Sequence, residues 1–188
     1  MYHHYHNKRK NSLKIITFLG ILFISFVGCL FHYLYELSGK QSFVSIVSPV
    51  NESVWEHLKI AFYPTILWYI LSYFLMARKK RIPFSSWFFS SVLSSLVSTV
   101  FIVVFYYTYT GAFAIQSLIL EIASLFLGVI LAQMLSLYVF QRANLRYYHH
   151  IISTLVFVSY LTAFVVFTFI PPQYPIFMDS STGIYGVQ

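Results

Sequence analysis

Five long apolar runs, at about 15–35, 60–76, 84–107, 113–140 and 151–170, leave this 188-residue chain little choice of fold. Each is long enough to cross roughly 30 Å of hydrocarbon as a helix rising about 1.5 Å per residue. A soluble domain of this size cannot use so much apolar surface, because its own exterior would be insoluble. The composition agrees: 59% hydrophobic, 9% charged, with a mean hydropathy of +0.73. The expected fold is therefore all-α, a polytopic membrane bundle of five helices forming one domain over 1–188, with the lipid bilayer as its main partner.

The loops orient the bundle. Ten of the twelve Lys and Arg residues fall in the segment before the first run, in "ARKKR" (Ala77 to Arg81), and at Arg142 and Arg146. With five spans all three segments share one side, and the other receives only Lys40 and Lys59. Positive charge collects in cytoplasmic loops, so residues 1–14 are expected to form a basic cytoplasmic tail and 171–188 an outer tail. The same rule accounts for the net charge of +7 without nucleic acid. The first run is too long for a signal-peptide core, and no A-x-A-like cleavage site follows it. The single cysteine, Cys29, excludes an internal disulfide and reads as a small apolar residue within the first helix. "MYHHYHNKRK", three His broken by Tyr, reads as a disordered tail.

With this topology all five carboxylates, Glu36, Glu52, Glu56, Glu121 and Asp179, belong to the outer half. His32 and His57 belong there too. In "SPVNESVWEHLK" Ser48 suits a helix N-cap, Pro49 the first helical position, and Glu52 the first turn, where it complements the helix dipole. Glu52 and Glu56 at i and i+4 repel one another, which a cation, a shared proton or Lys59 would relieve. His57 projects about 100° from Glu56, and Trp55 suits the membrane interface. Glu121, about eight residues below the outer end of the fourth run, is expected to face a cavity or a partner within the bilayer. Carboxylate with imidazole can bind a divalent cation or run acid/base chemistry. We therefore take Glu56, His57 and Glu121 as candidate catalytic groups and Glu52, Glu56, His57 and Asp179 as candidate metal ligands. Asn51 and Trp55 lie beside them. The spacing is not the H-E-x-x-H of zinc proteases. The serines of "FSSWFFSSVLSSLVS" at helical spacing read as a packing seam.

"SPVNESVWEHLK" and the tail "PIFMDSSTGIYG" together resemble an uncharacterised family of small integral membrane proteins, found mainly in Gram-positive bacteria. The resemblance implies a bacterial plasma membrane location and draws attention to Asn51, Glu52, Trp55, Glu56, His57 and Asp179; it implies no reaction. Three functions stay open. One is an outward-facing site that binds a cation or acts on an envelope or lipid substrate. Another is a small proton- or solute-coupled transporter, which at five spans without an internal repeat would need a homo-oligomer. The last is a non-catalytic assembly partner.

Overall fold

The computed structural model describes residues 2–80, 82–143 and 146–187; Arg81 of the basic "ARKKR" segment lies outside them. Among the described residues five helices are long and apolar enough to cross a membrane: α1 (Tyr2–Leu37), α2 (Val54–Lys80), α3 (Phe84–Tyr107), α4 (Leu118–Arg142) and α5 (Tyr147–Phe169). Among the described residues there is no strand, only an isolated bridge between Met178 and Tyr185.

The helix ends differ from the sequence reading for local reasons. α1 begins at Tyr2, so the His-rich start is helical; no Gly or Pro interrupts it before Gly20. α2 begins at Val54 rather than near Pro49. Ser53 spells a capping box with Glu56, and its Oγ accepts the Glu56 amide at 3.3 Å. Ser48 instead belongs to α1: its Oγ donates to the Phe31 carbonyl and accepts the Tyr35 amide. Glu52 thus lies in the loop before α2, not in the helix. Residues 41–50 form a short 3₁₀ turn, Val44–Ile46, packed against α5.

α3 runs into a turn of π-helix, Thr108–Ala112, and the chain then breaks at Ala114, whose φ is +53°. α4 starts only at Leu118, which puts Glu121 in its first turn, where the helix dipole favours an acid. Its expected depth of eight residues is corrected by that break.

Small residues set the spacing between helices. The Ser90, Ser95 and Thr99 hydroxyls bond back to carbonyls four residues earlier, leaving a narrow face on α3. α4 packs there: Gln133 donates to Ser94 Oγ at 2.9 Å and Ser136 to the Ser90 carbonyl at 2.8 Å. A Cβ at Gly28 of α1 would lie 2.6 Å from the Ile60 carbonyl of α2. Pro64 has no amide to bond that carbonyl, so it is free to face α1.

The C-terminal tail folds back over the end of the bundle where α2 begins. Its 3₁₀ turn, Pro175–Phe177, drops Phe177 onto Trp55 and Phe167 at ring-centroid distances of 5.1 and 5.2 Å. Trp55 is therefore an internal anchor beneath the tail and not simply an interfacial residue.

Candidate functional site

The segment from Asn51 to Lys59 faces two ways. Glu56 points inward. Its carboxylate meets Lys59 Nζ at 2.6 Å, accepts the Thr168 hydroxyl of α5 at 2.9 Å, and accepts the Val50 amide at 3.1 Å. The lysine also donates to the Ser45 carbonyl at 2.7 Å and to Thr168 Oγ1 at 2.6 Å. Both residues are buried, Lys59 fully (0%) and Glu56 at 2% exposure. The ammonium and the carboxylate answer one another, as buried charges must. Glu56, expected among the catalytic groups and metal donors, is thereby committed to tying α2 to α5 and to the 41–50 loop.

His57, one residue on, turns toward Glu52 and toward α1. Its Nδ1 lies 2.9 Å from the Ser53 carbonyl. A carbonyl can only accept, so Nδ1 carries the proton. Nε2 then faces Glu52 Oε2 at 3.3 Å with its lone pair, unless it too is protonated. Two acceptors do not sit at that distance unaided; a proton or a cation between them resolves the clash. His32 of α1 completes the group, its Nε2 3.7 Å from Glu52 Oε1 and its ring centroid 5.1 Å from that of His57. One donor atom from each of His32, Glu52 and His57 lies within 4.8 Å of the others. Donors around a tetrahedral ion with bonds of about 2.0–2.2 Å sit about 3.3–3.6 Å apart, so the Glu52 contacts are close to ligand spacing.

The tail holds the Glu52 backbone in place. The Glu52 amide donates to Asp179 Oδ2 at 3.2 Å, and its carbonyl accepts the Ser180 hydroxyl at 3.1 Å. Asn51 bridges the tail and the start of α2: its Nδ2 donates to the Gly186 carbonyl at 2.9 Å, while its Oδ1 accepts the Ser53 amide at 3.0 Å. Gly186 has φ of +76°, a conformation that favours glycine. Asp179 Oδ1 takes the Ser181 amide, the Ser181 hydroxyl and the Thr182 amide. With both oxygens occupied, Asp179 positions the loop; it does not join the donor group.

The two acids outside the spans titrate accordingly. The hydrogen bond with His57 holds the Glu52 carboxyl below its ordinary range, against the opposing effects of burial and the Asp179 charge. For Asp179, burial raises the value, but the Ser181 hydroxyl and the amides of Thr182, Ser181 and Glu52 outweigh it and hold it low.

Glu121 reaches the same place from α4. It lines a cavity of about 180 Å³ with His32, Glu52 and His57, and a smaller one of about 50 Å³ with Glu52, His57 and Ser124. A third cavity, about 300 Å³, lies on the tail side of Glu52 and is lined by Glu36, Lys40, Asn51 and Asp179. Glu52, His57 and Glu121 are thus brought together, with Asn51 and Asp179 supporting them, and Glu56 is turned away. Sequence reasoning did not select His32 as a site residue, although its place one turn before Glu36 puts it at this end of α1. Lys59, read as an outer-loop charge, gives no sign in the sequence of its full burial beyond its i+3 spacing from Glu56.

No curated protein and no solved structure matches the chain. A family model matches residues 4–187, and on that match the chain belongs to DUF6512, a family of unknown function.

Proposed function

We propose that this chain is a multi-pass protein of the bacterial plasma membrane, with its N-terminus in the cytoplasm and its tail outside. In this reading His32, Glu52 and His57 hold a divalent transition-metal ion that faces outward and serves an envelope or lipid substrate. The observation that carries it is the geometry of His57. A backbone carbonyl takes the Nδ1 proton and turns Nε2 toward the Glu52 carboxylate at 3.3 Å, where a metal ion would displace the proton the two now share; an outer hydrogen bond of this kind is how proteins orient a histidine toward a metal. Imidazole and carboxylate donors suit zinc and its neighbours, and three protein donors leave a position for water or substrate.

Metal analysis of the purified protein, exposed to zinc and dialysed, tests the reading. About one equivalent is expected in the wild type, and a large loss in Glu52→Gln and in His57→Ala. Glu36→Gln, an acid at the same end outside the group, retains the metal. Protein without zinc, or with equal zinc in all four, overturns the proposal.

A further inference from the structure

The cavities around the centre differ in character. The one of about 180 Å³ opens between α1 and α4; beyond the polar group its lining includes Cys29, Tyr33, Leu118 and Ile122. Tyr33, Leu118 and Ile122 are 59%, 70% and 47% exposed, within about a turn of the ends of two helices long and apolar enough to cross a membrane. The cavity of about 300 Å³ beneath the tail also has apolar walls, Tyr35, Pro49 and Val50 among them, but adds the polar groups of Glu36, Lys40, Asn51, Asp179 and Ser181. His32, Tyr33 and Glu52 belong to both linings, so the donor group stands where apolar and polar spaces meet. A ligand that reached from one to the other past His32 and Glu52 would need an apolar chain at one end and a polar head at the other, with its linking bond at the centre.

Glu121 adds a second function to that junction. It shares both the 180 Å³ and the 50 Å³ cavities with His57 and Glu52, yet it is outside the three-donor group. A carboxylate beside a metal centre, and not used as a ligand, is placed to take a proton from metal-bound water. The 50 Å³ cavity is roomy enough for water, which needs only about 10–15 Å³ of such space.

Resting on the metal reading above, we infer that the centre hydrolyses the acyl bond of an amphiphile that enters sideways from the bilayer between α1 and α4, with Glu121 as general base. The substrate class is a long-chain acyl ester or amide. A metal held by His32, Glu52 and His57 would acidify a water; Glu121 would take that water's proton as the water oxygen bonds to the acyl carbon. The bond from that carbon to the head-group oxygen or nitrogen breaks, and Glu121 returns the proton to the departing atom. The products are a fatty acid and a free head group; water is the only co-reactant.

Cobalt-loaded full-length protein in nanodiscs tests this with two hydroxamates, which ligate an open metal position. Acetohydroxamate and octanohydroxamate should both shift the cobalt visible absorption. The longer one should bind at least 50-fold tighter, since a fully buried methylene contributes about fourfold. Leu118→Trp and Ile122→Trp, at exposed positions on the cavity rim, should each cut that advantage at least tenfold while leaving cobalt content and acetohydroxamate binding unchanged. This comparison also removes the effect of simple partitioning into lipid. Release of fatty acid is then followed from a long-chain nitrophenyl ester and from the matching anilide, the two arms separating ester from amide specificity. Glu121→Gln should lower release from the preferred probe at least 100-fold with cobalt retained. Silent hydroxamates, a chain-length preference untouched by both tryptophans, no release from either probe, or full activity in Glu121→Gln would each overturn the inference. Failure to bind cobalt at all would instead overturn the metal reading on which it rests.

Discussion

Lys59 is surrounded by groups that only make sense together. Its ammonium has Glu56, Thr168 and the Ser45 carbonyl as partners and no contact with solvent. Removing one member of such a pair strands the other charge and costs about 3–5 kcal/mol, whereas replacing both by apolar groups is often neutral. Lys59→Met should therefore destabilise the protein by that amount in thermal unfolding in detergent. Lys59→Met with Glu56→Leu should recover most of the loss, and a fully additive pair would show that the contact is unimportant. At this scale the sequence was partly legible. The 100° step between Glu56 and His57 along a helix does send them to different surroundings, and the polar groups that crowd this stretch of sequence are the ones the fold divides between an inward and an α1-facing side. Which of the two turns inward was not legible, because Thr168 and Ser45 come from 112 and 11 positions away from Glu56 and neither has a local signature.

At the level of elements, α1 and α2 meet where Gly28 faces the Ile60 carbonyl that Pro64 leaves without a helical donor. Gly28 and His32 lie four apart on one face of α1, and His57 and Ile60 three apart on α2. The closeness of this crossing thus governs how near His32 comes to His57. Gly28→Ala would put a methyl 2.6 Å from backbone, so the helices must separate. The expected result is at least a tenfold loss of zinc affinity together with a lower unfolding temperature, measured by metal competition and thermal melting; unchanged zinc affinity would show that the crossing does not set the site. The apolar runs revealed that the helices exist because length and hydropathy are properties of each segment alone. Their ends were less legible, since they depend on particular bonds such as Ser53 to Glu56 and on the left-handed residue Ala114.

For the whole molecule, the tail acts as a strap that fixes the Asn51–Glu52 backbone from more than 120 positions away. Asp179 is held below its ordinary carboxyl value by the donors around it. Its contribution to docking is therefore complete above an unfolded-chain value of about 3.9 and is lost as pH falls through the lower folded value. Hydrogen exchange of the Glu52 and Thr182 amides should be protected at neutral pH and rise toward the acid end of this window. Asp179→Asn should expose both amides at neutral pH, and continued protection in the variant would argue against the strap. The aromatic and Gly-containing tail suggested such folding back, but its hydrogen-bond partners could only come from tertiary structure.

The buried pair of Glu56 and Lys59 has a consequence for how the chain is made. α2 is the least apolar of the five spans and the most buried, and it carries a lysine whose partner Thr168 lies near the end of α5. While the ribosome is still producing α3 and α4, that lysine already has Glu56 and the Ser45 carbonyl but no α5 hydroxyl to meet. The polar set of α2 is therefore complete only once α5 is in place, so the seating of an early segment depends on the last helix to be made.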